Sequence, residues 1–396
     1  MKRGTVLLDG NVFTGERFEL LSLRVVQGVV SDIEARLEPD TADIVVPLNG
    51  LAVVPGLINS HDHLEFNLFS HLGHPPYQNY VQWADDIQNS FRTPINQVLA
   101  VPLRDRFLWG AYKNIFSGVT TVIHHNDFNW RFRFGFPLEV HKNYRWIHSL
   151  RLEKRPLHEL VRQSGRPVFI HLAEGIDEMA RSEIRELDGL GGLNKETIIV
   201  HGVGIGDADI PLMDKSCGLV WCPGSNRYLF GATAPVEQLV GRIPVALGTD
   251  STLTGPNGLF EEIRIALQMK NLSPDILFHM VTSMPARMIG SDKGSIARGS
   301  PADLLIFDAR GKDPMDAFVH LNPTDVKFLL KNGSPIFGDR EFLPQSGKRW
   351  KKRSLVRVCG KPKFVLGDFN SLLARTKKQL PASVLPEYVT AIEADG

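Results

Sequence analysis

Seven short apolar runs stand in the middle of the chain, and several of them end in His, Asp or Asn. They are "AVVPGLINSH", "GVTTVIHHN", "RWIHSL", "RPVFIHL", "TIIVHG", "GLVWCP" and "IPVALGTD", spread from Ala52 to Asp250. Longer helical patterns separate them, and "LFEEIRIALQMKN" after the last run carries apolar residues at helical spacing. Strands that alternate with helices build a parallel sheet, and such strands are buried on both faces. With 396 residues, the expectation is an α/β fold: a (β/α)8 TIM-like barrel plus an accessory domain.

The ends of the chain have a different texture. "TVLLDG", "LSLRVVQG", "VVSDIEA" and "DIVVPLNG" are β-rich runs broken by Gly, Asp and Asn, and β texture returns in "ADLLIFD" and "VKFLLKNG". We therefore expect a small β-sandwich domain from residues 1–52 and 302–365, a barrel over 53–301, and a helical C-terminal tail over 366–396. Val53 to Ile58 reads as the first barrel strand. A full barrel needs two strands between Asn126 and Arg166. "RWIHSL" is clear there; "FPLEVHK" is the other, or one βα unit is shortened.

Composition excludes several functions. Hydrophobic residues make up 43% and charged residues 22%, and the net charge is +1. Nothing in that balance favours nucleic acid or an acidic membrane as a partner. The basic run "GKRWKKR", with Trp350 inside it, reads as solvated surface. Three cysteines, Cys217, Cys222 and Cys359, cannot make a disulfide framework and point to a reducing cytoplasm. No apolar run is long enough to span a bilayer, and the basic N-terminus lacks the apolar core of a signal peptide.

The polar strand ends carry the chemistry. In a TIM barrel the active site lies at the C-terminal ends of the strands. His61 and His63 stand two apart, so on a strand both rings face one side and can reach one metal ion, with Asp62 pointing away. His171, His201 and Asp250 end three further runs, and Glu174 follows His171 by three residues. Singly, each reads as an ordinary polar strand cap. Together they read as a metal site.

These residues sit in a set of motifs: "PGLINSHDH", "GVTTV", "HLAEG", "VHG", "WCPGSN", "LGTDSTLTG" and "GSIARGSPADLLIFD", in order from Pro55 to Asp308. The chain resembles the amidohydrolase superfamily, in its cytosine deaminase-like and chlorohydrolase-like branch. The resemblance implies that His61, His63, His171 and Asp250 hold one divalent ion, zinc most often in the family and sometimes iron. It implies that Glu174 shuttles protons, that His201 orients or polarises the reacting centre, and that Asp250 shares the acid–base work. Binuclear relatives bridge two ions with a carboxylated lysine. Here Lys142, Lys154 and Lys195 do not end a clear strand, and His148 occupies that sort of place, so the expectation is a mononuclear site.

Substrate contacts are expected from the loops. Phe66, Phe69, Tyr77, Tyr80 and Trp83 could wall a flat substrate or simply pack. Glu65, His125, His148, Asn226 and Arg227 are the candidate substrate residues; alternation should turn one of His124 and His125 inward. "HDHLEFN" lacks the usual continuation of the guanine, cytosine and adenosyl deaminases, which leaves the substrate open. The expected reaction is hydrolytic deamination of an amino-substituted heterocycle or cyclic amidine. The alternatives are hydrolysis of an amide, lactam or C–halogen bond at the same site, or a non-catalytic binding barrel. The last would predict loss of a metal ligand or of Glu174, and none is lost. The partner is a small-molecule substrate, and the family implies a homo-oligomer such as a dimer.

Overall fold

The computed structural model describes residues 3–157, 164–269, 271–343, 353–390 and 392–394. The basic run around Trp350 lies outside the described residues, apart from Arg353.

The two ends of the chain share one sheet. Strands β1 (Thr5–Phe13), β2 (Phe18–Val26), β3 (Val29–Glu34), β4 (Ile44–Pro47) and β5 (Ala52–Pro55) come from the N-terminal side. Expected as a sandwich, the domain is hydrogen-bonded as one eleven-stranded sheet with six later strands. Its centre joins the two ends: β5 pairs with β1 on one side and with a strand at Leu304–Phe307 on the other.

Eight strands follow β5. They are β6 (Leu57–Asp62), β7 (Val119–His124), β8 (Glu139–Val140), β9 (Arg145–Ile147), β10 (Val168–Leu172), β11 (Thr197–His201), β12 (Gly218–Trp221) and β13 (Val245–Leu247). They form two all-parallel arcs, β6-β7-β8 and β9-β10-β11-β12-β13. The stretch read as one strand from Val53 to Ile58 is therefore two strands in two sheets. Gly56 makes the break. A Cβ there would lie 2.5 Å from Thr120 Cγ2, so only glycine lets the chain cross from one sheet to the other.

The awkward middle also resolves. Both segments, the clear one and the doubtful one, are strands, of three and two residues. Four residues, 141–144, join them, too few for a covering helix, so one βα unit is indeed shortened. Strands this short show no alternation in sequence.

Alternation elsewhere sorts the apolar side chains into two layers. Ile58, Ile123, Phe169, Ile198, Val220 and Ala246 fill the barrel interior. Their neighbours Leu57, Val122, Ile170, Ile199, Trp221 and Leu247 face the surrounding shell. The interior layer is a dry plug beneath the polar strand ends.

The remaining strands are β14 (Leu304–Phe307), β15 (Val326–Lys331), β16 (Ser334–Asp339), β17 (Arg353–Val358), β18 (Lys361–Leu366) and β19 (Ile392–Ala394). The tail is not wholly helical: after a Phe369–Gln379 helix and a short Glu387–Thr390 turn, β19 joins the sheet against β17. No helix is long and apolar enough to cross a membrane among the described residues.

Candidate active site

Simple alternation would not gather the site residues; four local departures from it do. On β6 the pairing register shifts between Asn59 and Asp62. A shift of one residue exchanges the two faces of a strand. Ile58 therefore faces the interior, and so do His61 and His63 despite their odd spacing from it. On β11, Ile198 and Val200 are interior residues, which should turn His201 outward. Its φ of +73 re-aims the chain. Asp250, just past β13, has φ +54, and Ala173, beside Glu174, has φ +53. Non-glycine residues in this region are strained and persist where the surroundings over-determine them.

The result is a tight, buried cluster. His61 Nε2 and His171 Nε2 are 3.2 Å apart. Asp250 Oδ1 lies 3.9 Å from His61 Nε2 and 3.9 Å from His63 Nε2. Candidate ligand atoms fall into two overlapping groups, His61–His63–Asp250 and His61–His171–His201. Burial, more than the neighbouring rings, holds His61 and His171 well below the ordinary imidazole range, so both are neutral with lone pairs exposed. Two nitrogens bound tetrahedrally to one zinc ion at about 2.0–2.1 Å lie about 3.3 Å apart. The His61–His171 spacing matches that arrangement, and three imidazoles with a carboxylate suit zinc or iron. The residues fit a divalent metal.

The two carboxylates are pushed apart. Burial first, then Asp250 and Glu183, raises the Glu174 carboxyl well above its ordinary value. Burial also opposes ionisation of Asp250. There, however, His63, His201, the Ser251 N–H and the Thr254 hydroxyl prevail and hold it below the ordinary value. Ser225 Oγ and Thr254 Oγ1 each donate to Asp250 Oδ2 at 2.9 Å. The two carboxyls are thus shifted in opposite directions, the division that acid–base chemistry needs.

His201 is fixed by Asn226. Asn226 Nδ2 donates to His201 O at 3.3 Å, which leaves Asn226 Oδ1 to accept from His201 Nδ1 at 2.9 Å. His201 Nε2 then carries the lone pair and faces Glu174 Oε1 at 3.6 Å.

Known proteins share this frame. Residues 155–336 match the amidohydrolase family. A 5-methylthioadenosine/S-adenosylhomocysteine deaminase of Haloarcula marismortui is 30% identical over 183 residues, 42% of each chain. The enzyme of the same name from Pyrococcus furiosus is 24% identical over 418 residues, 85% of this chain and 96% of its own. An adenosine deaminase structure from Xanthomonas campestris, with bound zinc, superposes with a TM-score of 0.73 at 19% identity, covering 96% of this chain and 98% of that one. The chain is similar to proteins of the amidohydrolase family.

The remaining candidates divide by position. His125 is the inward member of its pair. Its ring stacks on His171 at 4.1 Å and 10°, and its Nε2 bonds to Ile147 O at 3.1 Å. The carbonyl fixes Nε2 as the donor, so the buried, unpartnered Nδ1 is a bare acceptor. His148 lies 5.5 Å from His171, and burial drops it to about 4. Glu65 sits one step back: Asn126 Nδ2 bridges Glu65 Oε1 at 2.8 Å and His63 Nδ1 at 3.4 Å. Asn226 is engaged with His201 through both of its amide atoms. Arg227 is exposed, while its neighbours Ser225 and Asn226 are buried against the site. Lys142, the residue that could have made the site binuclear, is exposed as well.

Of the loop aromatics, Phe66 borders the cluster, 5.8 Å from His63. The others pack the loop. Tyr80 OH donates to Glu183, Trp83 Nε1 to Leu72 O, and Phe69 and Tyr77 are buried. Sequence reasoning missed Thr254, Asn126 and Glu183, because short polar residues and a helical Glu carry no spacing signal that marks them.

Proposed function

We propose that this protein hydrolytically deaminates an amino-substituted heterocycle, using one divalent ion, zinc before iron, held by His61, His63, His171 and Asp250. The observation that carries the reading is the buried cluster of donor atoms from His61, His63, His171, His201 and Asp250, with Glu174 facing it beside His201. Zinc is favoured over iron by the zinc-bearing structural neighbour. An ion bound there lowers the pKa of a coordinated water toward ~7, which makes hydroxide available at neutral pH.

The protein's own groups then move the protons. Asp250, ionised, accepts the proton that the attacking water gives up. Glu174, protonated, donates to the ring nitrogen as the C–O bond forms. Asp250 then gives the proton taken from water to the departing amine, and the adduct's hydroxyl proton returns to Glu174, which His201 Nε2 faces at 3.6 Å. The C–N bond breaks, ammonia leaves and a ring carbonyl remains. His125 Nδ1 and His148, on the His171 side, supply polar ring edges for reading the heterocycle.

Aminopurine nucleosides are the first substrates to try, because the curated relatives bear the names of adenosine-type deaminases. Three unpaired cysteines are in keeping with a reducing compartment. The test is ammonia release by zinc-loaded protein from a panel of aminopurines, aminopyrimidines, aminotriazines and cyclic amidines. No release from any of them would refute the reading.

A further inference from the structure

The proposed reaction leaves a buried charge pair unexplained. Asp62, between two metal-site histidines, faces the other way, toward the Leu103–Phe116 helix. Its Oδ2 lies 3.4 Å from Lys113 Nζ, and neither side chain has any solvent exposure. Lys113 Nζ donates to Asn67 Oδ1 at 2.8 Å, Thr249 Oγ1 at 3.0 Å and Asp250 O at 2.9 Å. An ammonium has three protons, and all three are taken. Asp62 in turn accepts from Asn67 Nδ2 at 2.8 Å, Asn114 Nδ2 at 2.7 Å and Asn59 Nδ2 at 3.3 Å. The network is closed.

Stability alone does not account for it. Taking two charges out of water is costly, and apolar residues of similar size often serve a core as well or better. The pair does something apolar residues cannot: it holds a backbone carbonyl. Asp250 is in the left-handed region. Its N–H donates to His61 O at 3.0 Å, while its carbonyl takes both Lys113 Nζ at 2.9 Å and Thr249 Oγ1 at 2.8 Å.

The location matters too. β13 and β6 belong to different arcs, so no regular ladder joins them. Across this seam the metal-site residues of one arc must meet those of the other. Asn67 Oδ1 also accepts from Thr252 N at 3.2 Å, so the network ties the loop after β6 to the loop after β13. Gly248 shows how close the two strands run: a Cβ there would lie 2.5 Å from His61 Cβ.

We propose that Lys113, charge-balanced by Asp62, is a positioning residue that holds the Asp250 peptide across the barrel seam so that its carboxylate faces His61 and His63. It touches neither substrate nor reacting atoms. The inference rests on the metal-site reading above.

The test compares wild type, K113M and the double variant D62N/K113M. Zinc affinity is measured by competition with a chromophoric chelator, melting temperature on the metal-free proteins, and kcat and KM separately. K113M strands a buried carboxylate and should melt low. The double variant removes both charges at similar shape and should regain most of the melting temperature. Its zinc affinity should stay about 10–100-fold below wild type, with kcat reduced and KM little changed. A double variant that regains wild-type zinc affinity along with its stability would overturn the proposal, since the pair would then be structural only. If K113M fails to fold, the double variant still decides. Wild type that binds zinc but deaminates nothing would defeat the deamination reading and leave the affinity comparison standing.

Discussion

Glu174 and the histidines near it are separable by experiment. E174Q removes the titratable carboxyl, which burial raises well above its ordinary value, and it should retain bound zinc while losing about 100- to 10,000-fold in kcat. Loss of metal by elemental analysis of E174Q would instead make Glu174 a ligand. Replacing His61 or His63 by Ala should strip the metal, since both face Asp250 Oδ1 at 3.9 Å. Replacing His201 should strip less, since its ring is already held by Asn226 and it faces Glu174. These residues were legible in sequence because strand ends are short and polar against an apolar background. Their facing was not. It depends on one register shift and on the left-handed residues His201 and Asp250, which no residue type announces.

Single elements hold the site through groups that never touch a substrate. The Glu178–Gly189 helix carries Glu183, whose Oε1 accepts from Tyr80 OH at 2.8 Å and Oε2 from Ala173 N at 2.8 Å. It thus secures the strained turn beside Glu174. Burial pushes the Glu183 carboxyl from 4.5 up to about 7. A carboxyl raised on folding favours the folded state while protonated, below pH 4.5, and that advantage is lost as pH climbs through about 7. The shift is worth about 3 kcal/mol. Relative to E183Q, wild type should therefore lose about that much stability between pH 4.5 and about pH 8 in urea unfolding. A pH-independent difference would mean that Glu183 is not protonated on folding. At the seam, G248A must push Cβ against His61, and should cost about 1–3 kcal/mol in stability together with zinc affinity.

At the scale of the molecule, the C-terminal tail is part of the barrel's support. Trp109 Nε1 donates to Thr376 Oγ1 at 2.6 Å, Arg375 pairs with Asp105 at 2.9 Å, and Tyr388 OH donates to Asn67 O at 2.8 Å. The tail thus grips the helix that carries Lys113 and the loop that carries Asn67. Deleting residues 381–396 exposes the sites of Leu385 and Val389, both buried, and should cost about 3–5 kcal/mol at about 1.5–3 kcal/mol per buried side chain. Thermal melting checks this, and an unchanged melting temperature would show that the tail is dispensable.

By itself the sequence determined the layered α/β plan, the β texture of both chain ends and the polar residues at the strand ends. Each of these follows from local pattern: apolar runs of strand length, helical spacing between them, and polar residues where the runs stop. Tertiary structure alone decided the break at Gly56, the exposure of Arg227, the engagement of Asn226 with His201, and the meeting of Lys113 with Asp62 and Asp250. Those depend on residues far apart in the chain, such as Asn59 and Thr249, brought within 2.8 Å. A buried lysine on a helix face reads in sequence like any solvated one. Only the closure of the barrel, which carries its charge into the seam, tells the two apart.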